Sequence, residues 1–165
     1  MLFVIHLLAS AGLAWSLGAG HLGGGLLAFA LLYLIARLLG LAFRRLGRYA
    51  RSLEHGVSFC LWFIAQVFLA TYHVAILVLA RRVDVEPAVL AYPVTRREVD
   101  KVTLLGTLLT LTPGTLALDY DEEQGLLYIH ALDARRREDV TETLIELERR
   151  LLAWLDAGKA EGVTP

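Results

Sequence analysis

The chain has 165 residues, 56% of them hydrophobic, with 16 basic and 17 acidic side chains. The apolar excess lies in the first half: residues 1–36 and 55–80 contain no Asp, Glu, Lys or Arg, which excludes an ordinary soluble domain there. Residues 1–80 carry five Arg against the single Glu54, a net of +4, whereas residues 81–165 carry 11 basic and 16 acidic groups, a net of −5. A basic apolar half therefore precedes an acidic polar half. The lone Cys60 excludes both a disulfide and a cysteine metal site within one chain.

The first apolar run, Leu2–Leu17, is short for a membrane span, which needs about 20 residues, but falls within the tolerated range. Ala9-Ser10-Ala11 imitates a signal-peptide cleavage site. The run nevertheless lacks the basic start of a leader and is followed at once by a second span, so a retained helix is expected. The second run, Leu22–Phe43, is interrupted only by Arg37 near its end, where a long cationic side chain reaches the headgroups. The uncharged turn Gly18-Ala19-Gly20-His21 lies between them. Its lack of Lys and Arg, against Arg44, Arg45, Arg48 and Arg51 after the second run, predicts the turn outside and the Arg cluster in the cytoplasm. Residues 1–43 thus read as a transmembrane helical hairpin.

Residues 44–82 read as one long hydrophobic, amphipathic helix. At 100° per residue, Arg44, Arg48, Arg51, His55, Ser58, Gln66 and His73 fall in one sector narrower than about 90°. That polar seam suits a helix lying in the cytoplasmic interface. The length of His55–Ala80 also suits a span whose seam faces other subunits, although Arg81-Arg82 would then place a basic cluster outside. Both placements are open at this level.

Residues 83–158 read as a small cytoplasmic α+β domain. Val89–Pro93 is a strand, with Pro93 favouring an edge or strand end. Thr95-Arg96-Arg97-Glu98 has the form of a capping box before a helix with Val99, Val102, Leu105 and Leu109 as its apolar stripe. Pro113 ends that helix, and Thr115–Tyr120 and Leu126–Leu132 form a hairpin around Asp121-Glu122-Glu123-Gln124-Gly125. From about Ala134 to Leu155, Val140, Leu144, Leu147, Leu151 and Trp154 mark an amphipathic helix. The order is β-α-β-β-α, and residues 159–165 read as a flexible tail.

No grouping with catalytic, cofactor-binding or metal-ligand spacing occurs. Gly23-Gly24-Gly25 lies in an apolar run and suits close helix packing, not a phosphate loop. His6 and His21 are the titratable groups of the hairpin; both proton handling and simple interfacial placement are open. Gln66 and His73 share the polar seam and are the corresponding candidates of the long helix. Asp121-Glu122-Glu123 has the character of a solvated turn. Arg135-Arg136-Arg137 lacks interleaved aromatics and sits in an acidic domain, so no nucleic-acid partner is expected. A transporter that moved cations alone would bury several carboxylates or lysines at mid-membrane, and this sequence does not.

One segment gathers the rest. Thr110-Leu111-Thr112-Pro113-Gly114-Thr115 stands behind Thr103-Leu104-Leu105 and before Asp119 and Leu127-Tyr128-Ile129-His130. In that order, with Trp15, Pro87, Pro93 and Asp133, the chain resembles the MrpE/MnhE family of the Mrp-type multisubunit cation/proton antiporters over about residues 15–152. Ala88 and Thr107 stand where the family pattern has Gly and Asn, and Gln66 stands near a position where an acidic residue is usual. The resemblance implies a non-catalytic membrane subunit, needed for assembly or stability of a complex that exchanges sodium or other monovalent cations for protons across the plasma membrane. It also implies other antiporter subunits and membrane lipid as partners. Thr110, Thr112, Pro113, Gly114 and Thr115 are then docking candidates, and Arg44, Arg45, Arg48 and Arg51 the topology signal. The counterpart of this chain in a membrane-bound hydrogenase or related redox complex, or a membrane-anchored cytoplasmic interaction module, is the alternative.

Overall fold

The computed structural model describes residues 2–18, 21–81, 85–135 and 137–158. Ala19 and Gly20 of the hairpin turn, residues 82–84, Arg136 and the tail 159–165 lie outside the described residues. The elements run α1 (Leu2–Ser16), α2 (Leu22–Leu39), α3 (Arg44–Leu79), β1 (Ala88–Pro93), α4 (Val99–Leu111), β2 (Thr115–Asp121), β3 (Leu126–Ala131) and α5 (Arg137–Ala157). Two compact units result: residues 1–57 with 153–165, and residues 58–152.

In the first unit α1 and α2 pack through small side chains. Ser10 and Ala14 of α1 and Gly24 and Ala28 of α2 are buried at helical i, i+4 spacing, which lets apolar backbones approach closely. His21 caps α2, its Nδ1 accepting from the Gly24 amide at 3.0 Å. α2 and α3 are each long and apolar enough to cross a membrane; α1 is apolar but shorter. α2 stops at Leu39, short of the apolar run's end at Phe43, because the chain reverses there: a Cβ on Gly40 would lie 2.8 Å from the Gly47 Cα. His6, the buried ring of the bundle, stacks on Phe29 at 4.2 Å and meets the Tyr49 hydroxyl (2.6 Å, Nδ1) and the Phe29 carbonyl (3.1 Å, Nε2). A carbonyl only accepts, so Nε2 carries a proton; the hydroxyl facing Nδ1 serves as donor or acceptor. Glu54 accepts from the Tyr33 hydroxyl (2.7 Å) and pairs with Arg37 (2.8 Å), tying α2 to α3.

The second unit is built on an antiparallel sheet of order β1-β3-β2. The register places Leu90, Ile129 and Ala117 in one row and Tyr92, Leu127 and Tyr120 in another, all on the helix-covered face. Ile129 and Leu151 are almost wholly buried, and Val102, Leu105, Leu109, Leu144 and Leu147 complete the core with them. Val99, expected in that core, is 57% exposed: it opens α4 and points away, and Gly106 takes up the buried stripe instead. α5 begins at Arg137, not near Ala134, since Ala134 is itself buried with its amide bonded to the Glu86 carbonyl at 2.8 Å. On its solvent side, the Arg149 and then the Arg150 guanidinium hold the Glu146 carboxyl down at about 2.

The expected capping box does not form. Glu98 is the N-cap residue of α4 but makes no side-chain cap bond; its carboxylate pairs with Lys101 at 2.5 Å. Thr95 is drawn away by a stronger acceptor. Its amide (2.7 Å) and hydroxyl (2.9 Å) both donate to Glu148, which is buried and also receives the Tyr92 hydroxyl at 2.7 Å. Three donors on one carboxylate outcompete a single hydroxyl cap. Burial, and then the Glu148 carboxylate, push the Tyr92 phenol well above its ordinary range.

α3 has two different sides within this unit. Phe59 is buried, and Trp62, Phe63, Gln66, Ala70, Val74 and Leu77 are half-buried on one side. Arg150 of α5 lies over the Trp62 ring at 4.9 Å, and Val74 lies against Gly114. Leu61, Ile64, Phe68, Tyr72 and Leu79 fill the other side and are exposed.

Candidate functional site

The helix-to-strand corner at residues 110–115 is held by its own hydroxyls. α4 ends with Thr112 as C-cap residue in extended conformation, and Pro113 has no amide to continue the helix. The freed carbonyls need donors. The Thr115 hydroxyl donates to the Leu109 carbonyl at 2.7 Å and the Thr112 carbonyl at 3.1 Å, and the Thr112 hydroxyl to Leu108 at 3.2 Å. The Thr110 hydroxyl donates to Gly106 at 2.9 Å and accepts from the Ala117 amide at 3.3 Å, joining the last turn of α4 to the start of β2. Gly114 adopts φ +94°, a conformation that any side chain would strain, and its carbonyl receives the Leu132 amide at 2.8 Å. The corner is a rigid junction of α4, β2 and the end of β3.

The other candidates are not drawn together. Gln66 and His73 lie about two turns apart along α3; Gln66 is half-buried and His73 exposed. Arg44, Arg45 and Arg51 are exposed and Arg48 half-buried, with no carboxylate in ion-pair range among the described residues. No group of three or more metal-ligating side chains occurs among the described residues.

Sequence reasoning missed the buried Glu148–Tyr92–Thr95 cluster. A signal was present: Glu148 follows Leu144 by four residues and Leu147 by one, inside the apolar stripe of α5, where a carboxylate must find donors. It also missed the His6–Tyr49 contact, whose partners stand 43 residues apart.

Several known proteins are similar to this chain. It is 34% identical to the E subunit of the Na(+)/H(+) antiporter of Bacillus subtilis (strain 168), over 50% of its own length and 52% of that protein, so it spans about half of that relative. The E subunit of the Alkalihalophilus pseudofirmus antiporter is 29% identical, over 67% of this chain and 70% of that one. The E1 subunit of the Staphylococcus saprophyticus antiporter is 31% identical, over 70% and 74%. Among solved structures, a chain of the Mrp complex from Dietzia sp. DQ12-45-1b is 29% identical with a TM-score of 0.45, the match covering 58% of this chain and 91% of that one. The MNHE family model, described as Na+/H+ ion antiporter subunit, matches residues 1–153. The chain belongs to this Na+/H+ ion antiporter subunit family.

Proposed function

We propose that the chain is a non-catalytic membrane subunit of a multisubunit monovalent cation (Na+)/proton antiporter, required for assembly or stability of the complex. The observation that carries this reading is the state of Glu54. It is the sole acidic residue of the first 80, and both the Arg37 guanidinium and the Tyr33 hydroxyl occupy it. An ion path needs carboxylates free to exchange cations within the membrane; this helical half offers support and packing surface instead. Other subunits of the antiporter complex are the partners, as the names of the relatives imply, and lipid surrounds the hairpin.

The hairpin α1–α2 crosses the plasma membrane, with Arg44, Arg45, Arg48 and Arg51 holding its ends on the cytoplasmic side. α3 lies along the cytoplasmic interface. Its 36 residues extend about 54 Å, far more than a bilayer core of about 30 Å requires. Two neighbours on one side, Arg150 over Trp62 and Gly114 beside Val74, support this placement, because those positions of α3 face the chain's own polar domain and not lipid. The exposed stripe Leu61, Ile64, Phe68, Tyr72 and Leu79 then enters the acyl boundary and the α+β domain stands in the cytoplasm.

Deleting this chain from its complex should abolish assembly or antiport in everted membrane vesicles. Full antiport by a complex lacking the chain would refute the proposal.

A further inference from the structure

Between α4 and the outer edge of β2 runs an open groove of about 590 Å³. β2 is a terminal strand of the sheet, so its outer side has no strand neighbour among the described residues. Val102, Gly106, Ala117 and Leu127 form an apolar floor, with Leu111 and Leu118 exposed at the margins.

The threonine hydroxyls and the carboxylates along this groove share one property: they present acceptors, and the Ala117 and Tyr120 amides beside them already donate to Thr110 and Asp119. Thr103, Thr107 and Thr110 line the wall, and each has already given its hydroxyl proton to the carbonyl four residues back, at 2.7, 2.8 and 2.9 Å. What they offer outward is oxygen lone pairs. Asp119 and Glu122 stand on the β2 side of the groove, and neither has a cation in ion-pair range among the described residues. An apolar floor with an acceptor-rich, anionic wall fits an occupant with aliphatic stems and cationic, donor-rich heads, namely Arg or Lys side chains. An anionic lipid surface has the wrong sign.

We propose that this groove docks a Lys/Arg-rich cytoplasmic segment of another membrane subunit. The inference rests on the assembly reading above and specifies its contact surface. Loops on the cytoplasmic side of membrane proteins carry excess Lys and Arg, so the partners of an antiporter assembly present the required chemistry where this domain stands. The charge match also selects against a second copy of this chain, whose own polar half is acidic.

The test uses the whole complex, purified through a tag on this chain. A photo-crosslinking residue at Thr107, an exposed helical position, is expected to capture a Lys/Arg-rich peptide of a different polytopic subunit. Capture of a second copy of this chain, or of lipid, overturns the proposal. Independently, Asp119→Lys with Glu122→Lys should lower recovery of the other subunits at least tenfold. Membrane level and melting of the chain itself should be unchanged, since both positions are exposed. Thr107→Trp, which fills the groove without altering charge, should act in the same direction. Unchanged recovery in both variants overturns the groove while leaving the assembly reading intact. Failure of the wild-type chain to recover any other subunit overturns both.

Discussion

The buried carboxylate of Glu148 should be the most sensitive position of the α+β domain. Its residue is 4% exposed and its two oxygens take three hydrogen bonds, from Tyr92, the Thr95 amide and the Thr95 hydroxyl, between 2.7 and 2.9 Å. Glu148→Leu keeps the volume but strands the Tyr92 hydroxyl, which lies in the core, and the Thr95 amide, which lies nearer solvent. Leaving a buried donor unsatisfied costs about 1–3 kcal/mol, and a partly solvated one less, so the substitution should destabilise the domain by about 2–4 kcal/mol. For a folding unit of this size, each kcal/mol moves the midpoint by roughly 4–8 °C, which predicts a fall of about 8–32 °C. Glu148→Gln retains an acceptor for the Thr95 amide and offers its NH2 to the tyrosine oxygen, at a loss of about 1–2 kcal/mol. Tyr92→Phe removes one donor and leaves the carboxylate with two, again about 1–2 kcal/mol. The order Leu worse than Gln follows from stranded donors rather than from lost charge. Thermal unfolding of the full chain in detergent, read by tryptophan fluorescence with Trp62 and Trp154 beside or within α5, measures it. A Glu148→Leu midpoint within about 3 °C of wild type, or a Tyr92→Phe loss larger than that of Glu148→Leu, would refute the argument.

Four other outcomes are expected. Replacing Arg44, Arg45, Arg48 and Arg51 together by Gln should give mixed orientation or poor accumulation in the membrane, read by accessibility of engineered cysteines from each side; unchanged orientation would show that packing sets it. Gly56→Ala places a Cβ 2.6 Å from the Trp154 indole nitrogen and should cost about 1–3 kcal/mol, whereas unchanged melting would deny that contact. The raised Tyr92 phenol keeps its proton in the folded state after unfolded tyrosine, ionising near pH 10, has lost its own. Its stabilisation is therefore complete below about pH 10 and falls as pH rises beyond it, so Tyr92→Phe should flatten the alkaline limb of a denaturation series. The double change Thr112→Val and Thr115→Val deletes the corner hydroxyls while keeping shape: lowered melting with the complex recovered marks a structural corner, and normal melting with the complex lost marks a contact with a partner.

Local rules were legible wherever the cause of a structure lies within a few residues. Pro113 and Gly114 announce the end of α4 and the turn into β2 because one lacks an amide and the other tolerates positive φ. Alternating and helical apolar patterns likewise yielded the order β1-α4-β2-β3-α5, and the stripe Leu144, Leu147 and Leu151 is buried as its spacing requires. The capping box fails for the converse reason. Thr95 and Glu98 have the right spacing, yet the competing acceptor, Glu148, stands 53 residues from Thr95. A local motif states what a side chain is able to bond, and burial of a stronger partner decides what it does bond.

The polar seam of α3 shows the same limit at the scale of the site. Periodicity places Gln66 and His73 in one sector whether that sector meets headgroups, another subunit or the chain's own domain, because all three demand polarity at the same angle. Only long-range contacts separate these cases. Val74 meets Gly114 and Trp62 meets Arg150, so the half-buried Gln66 shares a side of α3 with residues that touch the chain's own turn and helix. The groove beside α4 was invisible for a related reason. Thr103 and Thr110 read as motif residues and Thr107 as a departure from the family pattern, and their acceptor character emerges only when each hydroxyl proton is traced to the carbonyl one turn back. Glu122 reads as part of a solvated turn and Asp119 as a motif residue, and their place beside one groove emerges only once α4 and β2 pack together. The docking chemistry is therefore a property of which donors are already consumed, and that quantity exists only in the folded chain.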